Sequence, residues 1–313
     1  MNQNVPPEDL PDAWQRVGQR MDAQSWPTHA LYVVATPIGN LGDLTLRAWQ
    51  ALDRADVIAA EDTRASRTLM DVWGITTPLI AVHRHNEAAA AGAIVERLQA
   101  GQRVALVSDA GSPAVSDPGG RVVQAVHAAG LKVVPLPGPS AVIAALMSTG
   151  VTNDHSPGFV FAGFAPTKSL ARQRWIRTWT QLPAATVFYE APHRILASLQ
   201  DLLEVLGPDR QIALARELTK RFEEIASMPL AQAQTWLKAD AHREQGEYVV
   251  IVHPLEPVET TELDLEGGAA IDAWLDALLE SVSVRDAARI AAKATGLPRD
   301  TLYGRALARK PSK

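Results

Sequence analysis

Short apolar runs separated by helical patterns constrain this chain more than any other feature. In the first half they are LYVVAT (31–36), DVIAA (56–60), PLIAV (78–82), RVALVS (103–108) and KVVPL (132–136). Most are continuous rather than alternating and rich in Val and Ile, as strands buried on both faces should be. Helical patterns such as Glu87 to Gln99 and Gly120 to Ala129 lie between them. That alternation predicts a parallel sheet with covering helices. After Pro139 the texture changes. Runs FVFAG (159–163), ATVFYE (185–190), QIALAR (211–216), RFEEIAS (221–227) and EYVVIV (247–252) mix with helices over 192–206 and 229–239. The close 211–227 pair reads as a hairpin, so this half predicts a mixed sheet.

The expected fold class is α/β, with an N-terminal parallel-sheet domain over 29–137 and a mixed-sheet second domain over 138–253. Residues 254–268, PLEPVETTELDLEGG, hold five acidic residues, no basic ones, two prolines and a glycine pair. That composition is a linker. Beyond it, three short helices form a small module over 269–313. Ala287, Ala288 and Ala291 permit close helix approach, Gly296 ends one helix and Pro298 begins the turn into the next, as in a helix-turn-helix. Residues 1–28 carry Pro6, Pro7, Pro11 and Pro27. They lack the apolar core of a signal peptide and read as a mostly disordered extension.

Composition narrows the function classes. Hydrophobic residues make up 47% and charged residues 21% of the 313, which is ordinary for a soluble globular protein. No apolar run approaches the roughly 18 residues of a membrane helix. The absence of cysteine excludes disulfides and thiolate metal sites and suits a reducing cytoplasm. His83 and His85 have no fitting third ligand nearby, so no metal is expected. The net charge of −5 hides an asymmetry: residues 281–313 carry +6, which leaves −11 for residues 1–280. Such a split fits a polyanion partner or a solvated basic terminus.

The polar stretches rich in Gly and Pro fall where strands end. TPIGNLGD (36–43), EDTR (61–64), SDAGSP (108–113) and PGPSA (137–141) follow the first, second, fourth and fifth runs. In a doubly wound sheet ligands gather at that edge, where helix N-termini point outward and glycine lets a ligand approach the backbone. Four such turns at one edge make a site. Neither G-x-G-x-x-G nor a Walker ending is present, so pyrophosphate is not the expected guest.

TPIGNLGD, EDTR, HRHNE (83–87), SDAGSPAVSDPG (108–119), PGPSA, FYEAPHR (188–194) and RELTKRFEE (216–224) occur in the order and spacing of the tetrapyrrole methylase superfamily. The chain resembles most its ribosomal RNA branch, over about residues 30–310. The resemblance implies a two-domain class III methyltransferase fold with S-adenosylmethionine in the cleft. It implies donor contacts at Pro37, Gly39, Asp109, Ala110, Ser112, Ser140, Ala141 and Phe164. It also implies a homodimer and, as partner, the 16S rRNA of the small ribosomal subunit, methylated on the ribose 2′-oxygen of a decoding-site cytidine. Methyl transfer to a ribose hydroxyl needs alignment and removal of a proton from a weak acid. Asp62 or Glu190 is the candidate base, and Arg194 or Lys220 the candidate phosphate clamp, unless these charges form salt bridges only.

The stretch APTKSLARQRWIRTWT (165–180) has four basic and no acidic residues. Trp175, Ile176 and Trp179 fit one helix face and read as core, leaving Lys168, Arg172, Arg174 and Arg177 toward solvent and RNA. Further substrate contacts are expected at Arg64, at His85 and Asn86, which would cap the following helix, and at Arg289 and Arg305 of the basic tail. Rival readings are a sister methylase acting on a tetrapyrrole or diphthamide precursor, and a non-catalytic RNA-binding assembly factor.

Overall fold

A computed structural model describes residues 10–154, 156–254 and 269–309. The chain divides into two compact units, within residues 1–254 and 255–313. The expected acidic linker, apart from its first residue, lies outside the described residues.

The first unit begins with a five-stranded parallel sheet: β1 (Ala30–Val34), β2 (Val57–Ala60), β3 (Leu79–Ala81), β4 (Arg103–Val107) and β5 (Lys132–Leu136), ordered β3-β2-β4-β1-β5. Successive residues of each strand point to opposite faces, and both faces are buried, which is why the runs read as continuous. On one face Tyr32, Val34 and Ile58 pack with Ala48, Leu52 and Met70 of helices α2 (Leu46–Arg54) and α3 (Thr63–Val72). On the other, Leu31, Val57 and Leu106 pack with Ile94, Leu98 and Val126 of α4 (Glu87–Gln99) and α5 (Gly120–Ala128).

Helix α6 (Ala141–Thr149) leads into the second sheet: β6 (Phe159–Phe164), β7 (Ala185–Glu190), β8 (Gln211–Arg216), β9 (Glu224–Pro229) and β10 (Tyr248–Val252), ordered β6-β7-β10-β8-β9. β6 and β7 are parallel and the other pairs antiparallel, the mixed sheet expected. One face packs on α7 (Ser169–Trp179), α8 (Pro192–Leu206) and α9 (Leu230–Lys238) through Phe188, Leu214 and Val250. The other face packs on α6 through Val187, Ala213 and Ile251, and Ile38 of the β1 turn joins that cluster.

One expectation is corrected. Within the proposed disordered extension 1–28, residues Leu10–Asp22 form helix α1. Asp22 pairs with Arg54 at 2.6 Å and accepts from Gln50 at 3.0 Å, and Trp26 packs on the first core. Pro11 falls in the first turn, where proline is tolerated, so its presence did not preclude a helix. Residues 1–9 lie outside the described residues.

In the second unit, helices Ala269–Leu279, Val284–Thr295 and Arg299–Ala308 share a small core of Ile271, Leu275, Ala287, Ala288, Ala291, Leu302 and Ala306. Ser283 caps the second helix by accepting the Asp286 N–H, and Gly296 ends it in the left-handed conformation. Among the described residues no helix is long and apolar enough to cross a membrane.

Candidate active site

Backbone and side-chain bonds stitch the strand-end turns together. Thr36 and Gly111 exchange both backbone hydrogen bonds at 2.9 Å, an antiparallel bridge between the β1 and β4 turns. Thr36 Oγ1 donates to the Ser108 carbonyl and Ser112 Oγ to the Pro139 carbonyl, each at 3.2 Å. Gly138 allows the β5 turn to approach, since a Cβ there would lie 3.0 Å from the Ala35 Cβ. Asp109 ties in the β2 turn by accepting the Asp62 N–H at 3.0 Å.

A cavity of about 320 Å³ opens beside these turns. Its wall takes Ile38 from the β1 turn, Ala110, Gly111, Ser112, Val115 and Asp117 from the β4 turn, and Ser140 and Ala141 at the head of α6. The second sheet and its loops add Phe164, Tyr189, Glu217, Leu218, Lys220 and Glu247, among others. The volume suits a small-molecule cofactor. Small residues leave room against the backbone, and Ser140 at the N-cap of α6 makes no side-chain cap bond, so first-turn N–H groups are available to a carboxylate. Tyr189 and Phe164, 5.2 Å apart edge to face, offer ring surface to an adenine or a sulfonium cation. These residues fit S-adenosylmethionine.

Of the candidate donor contacts, Ala110, Ser112, Ser140, Ala141 and Phe164 come together in the wall. Pro37, Gly39 and Asp109 are not in the lining. Asp109 is committed to the Asp62 N–H, and a Cβ on Gly39 would collide with the Lys220 side chain, so Gly39 serves that close approach.

The four catalytic candidates divide differently. Asp62 is the N-cap of α3: its carboxylate accepts the Arg64 N–H at 2.8 Å and the Ala65 N–H at 3.4 Å. Those bonds hold it below the usual carboxylate range, which weakens it as a base. The Glu190 side chain is 0% exposed and pairs with Arg194 at 3.1 Å. It also accepts the Ala191 N–H at 2.9 Å and the Ser198 hydroxyl, while Arg194 donates to the Ala165 carbonyl. Glu190 lines the cavity, but these bonds engage its carboxylate, and with Arg194 it anchors the start of α8. Lys220 also lines the cavity, held by Glu217 at 2.9 Å and Glu247 at 2.8 Å. Burial opposes its charge, but these two partners outweigh burial and keep it firmly protonated.

Among the substrate candidates, Arg64 is 93% exposed and Lys168 and His85 are exposed. Arg172 is overturned as an RNA contact: its side chain is 4% exposed and pairs with Asp201 of α8 at 2.5 Å. Trp175 and Ile176 join the second core, as read from the sequence, and Arg174 and Arg177 face solvent. Asn86 makes no side-chain cap bond; it braces its own turn, accepting the His83 N–H at 2.8 Å and donating to the Ala81 carbonyl at 3.0 Å. Arg305 pairs with Asp272 at 3.0 Å and is half-buried, a scaffold contact within the small unit, whereas Arg289 pairs with Asp286 at the exposed surface. Sequence reasoning missed Asp117, Tyr189, Glu217 and Glu247. SDAGSPAVSDPG carries two aspartates, and the strand end singles out the first, Asp109. The second reaches the wall.

Fold and site together define an α/β methylase whose cofactor cavity lies against the carboxyl ends of a parallel sheet. The chain belongs to the family described as Tetrapyrrole (Corrin/Porphyrin) Methylases, which matches residues 30–234, and is a methyltransferase that uses S-adenosylmethionine. Residues 266–310 match the RsmI C-terminal HTH domain. Ribosomal RNA small subunit methyltransferase I of Pseudomonas aeruginosa is 45% identical over 280 residues, 90% of this chain and 97% of that one. The protein of the same name from Escherichia coli O157:H7 is 43% identical over 277 residues, 88% of this chain and 94% of that one. Among solved structures, diphthine synthase matches with a TM-score of 0.56 at 16% identity, covering 72% of this chain and 90% of its own. Uroporphyrin-III-C-methyltransferase from Thermus thermophilus matches at 0.50 and 20% identity, covering 72% and 94%. These two likenesses concern the fold.

Proposed function

We propose that the chain methylates the ribose 2′-oxygen of a decoding-site cytidine in 16S rRNA, acting on the small ribosomal subunit in the cytoplasm as a homodimer. The observation that carries this reading is the two-part match: a methylase body followed by the C-terminal domain, shared nearly end to end with relatives named for small-subunit rRNA methylation. The tetrapyrrole and diphthine enzymes cover only 72% of this chain, and a tetrapyrrole substrate gives the basic module no task.

S-adenosylmethionine supplies a methyl group on a positively charged sulfur. The rest falls to the chain. The head of α6 and the small residues of the β4 turn hold and orient the donor. Tyr189, pushed up to about 12 by burial and by Asp117, stays a neutral hydroxyl at neutral pH and serves as a hydrogen-bond donor. Exposed Lys168, Arg174 and Arg177 on or beside α7, with Arg64 on the first domain, attract rRNA phosphates.

The test is to map ribose methylation of small-subunit rRNA from cells lacking the gene and after adding back purified protein with S-adenosylmethionine. One ribose methyl at a decoding-site cytidine should vanish and return. Unchanged rRNA methylation in the deletion strain would sink the reading.

A further inference from the structure

Transfer to a hydroxyl needs a proton acceptor, and both carboxylates offered by the sequence, Asp62 and Glu190, are already engaged. Asp62 is tied up as a helix cap, and Glu190, although it reaches the wall, has its carboxylate bonded by Arg194, Ser198 and the Ala191 N–H. Other ionisable groups in the wall are also spoken for. Glu217 accepts from Lys220 and the Glu247 N–H, and Glu247 pairs with Lys220. Burial outweighs the opposing charge of Arg216 and pushes Tyr248 up to about 12, and its hydroxyl donates to the Arg243 carbonyl.

Asp117 differs from all of these. It lines the cavity, is half-buried, and carries no hydrogen bond or ion pair among the described residues. The charged groups that act on it are Arg84, Asp109 and Glu61, and its own charge acts on the Tyr189 hydroxyl, which shares the cavity wall. Burial, aided by Asp109, outweighs the attraction of Arg84 and raises its proton affinity above that of an ordinary aspartate, the direction a base requires.

The backbone that presents Asp117 is unusual. Ala114 and Ser116 both have φ of 66°, in the left-handed region that side chains avoid. Such a conformation persists only where the surroundings impose it, and they do. The buried Glu87 carboxylate accepts the N–H groups of Gly119 and Arg121, each at 2.9 Å. The Ala114 N–H reaches the Pro118 carbonyl at 3.2 Å, and the Arg84 guanidinium reaches the Ser116 carbonyl at 3.2 Å. A strained, heavily braced loop thus delivers one unpartnered carboxylate to the cavity wall.

We propose that Asp117 is the catalytic base for methyl transfer, a role that rests on the functional reading above. As the hydroxyl oxygen bonds to the methyl carbon, the carbon–sulfur bond breaks and its electron pair stays on sulfur. The hydroxyl proton passes to the Asp117 carboxylate and from there to water.

The test uses the full chain and Asp117→Asn, which keeps size and polarity. Turnover on small subunits lacking the methyl group should fall by roughly 10²–10⁴-fold, with calorimetric affinity for S-adenosylmethionine and binding of the subunit unchanged. In wild type, kcat/KM should rise with pH through a value above the ordinary aspartate range. That limb should be missing from the residual activity of the variant and partly restored in Asp117→Glu. Independently of activity, carboxyl-labelled protein observed by NMR, assigned by difference from Asp117→Asn, should show Asp117 titrating above the ordinary range.

Near-wild-type turnover in Asp117→Asn overturns the assignment. So does loss of cofactor affinity in step with activity, because that places Asp117 among the donor contacts. If wild type itself fails to methylate small subunits, the functional reading falls. The NMR titration then decides Asp117 alone, and a value at or below the ordinary range overturns it.

Discussion

Glu87, the first residue of α4, is buried, yet its carboxylate bonds nothing on its own helix. It reaches instead to the N–H groups of Gly119 and Arg121 at the start of α5. A carboxylate at that end is favoured by the helix dipole and by the unpaired first-turn donors. Glu87→Ala leaves the buried Gly119 N–H without a partner and the Arg121 N–H without its acceptor, and should cost about 1–3 kcal/mol, read as a lower denaturation midpoint. Turnover should fall further than stability implies, because the Asp117 loop loses its brace, while Glu87→Gln keeps an acceptor and should recover much of both. An unchanged midpoint and rate in Glu87→Ala would mean the loop holds its shape unaided. At this scale the sequence was only partly legible. HRHNE announced polar residues at a strand end, but which of them face a ligand and which face a neighbouring loop depends on residues about thirty positions away.

Elements were more legible, and their misses are instructive. β5, β7 and β8 begin and end where the apolar runs do. The run at 221–227 did announce a hairpin with β8, but the strand is Glu224–Pro229. Thr219, in the left-handed region, bonds the Glu223 carboxylate through its N–H at 2.6 Å and folds 219–223 into a turn. On α7, periodicity separated core from charge and failed at one place: Arg172 meets Asp201 on α8, a partner outside the window that periodicity reads. Arg172→Met should therefore destabilise the protein by about 3–5 kcal/mol through the stranded Asp201 charge. The double variant Arg172→Met/Asp201→Leu should recover much of that loss in denaturant titrations. A single-variant cost below about 1 kcal/mol would mark the pair as incidental. Burial opposes ionisation of Asp201, but donors from Gln173, Ser169 and Arg172 outweigh it and hold the carboxyl below its usual value. Its stabilisation is therefore complete above the ordinary aspartate pKa and disappears as pH falls through the lowered one. Asp201→Asn should flatten the acid limb of the stability profile.

At the scale of the molecule, charge asymmetry was legible and its strength was overstated. Asp272 and Asp276 on the first helix of the small unit and Glu280 just after it reduce the +6 of residues 281–313 to +3 for residues 269–313. Asp272 and Asp276 pair with Arg305 and Arg309, which removes those cations from the set available to phosphate. Lys293 and Arg299 remain exposed without an ion-pair partner among the described residues. Deleting residues 269–313 should leave S-adenosylmethionine binding intact, because the cavity wall lies wholly within the first unit. Affinity for the small subunit should drop, with a shallower dependence on salt, since each phosphate no longer neutralised removes about 0.9 from the logarithmic slope. Equal slopes for both proteins would confine RNA binding to the first unit.

The strand order of the first sheet also has a consequence for how the chain is made. β1 and β2 never touch; β4 lies between them, and β5 closes the other side of β1. Translation at roughly 5–20 residues per second delivers β1 and β2 several seconds before Arg103–Val107 exists. Throughout that interval Leu31, Tyr32, Ile58 and Ala59, all fully buried at the end, belong to a nascent chain whose middle strand is still unmade. Unpaired apolar strands of this kind invite association. Cover by the ribosome exit region or a chaperone during that interval would keep these strands from associating until β4 emerges and the sheet closes from its centre outward.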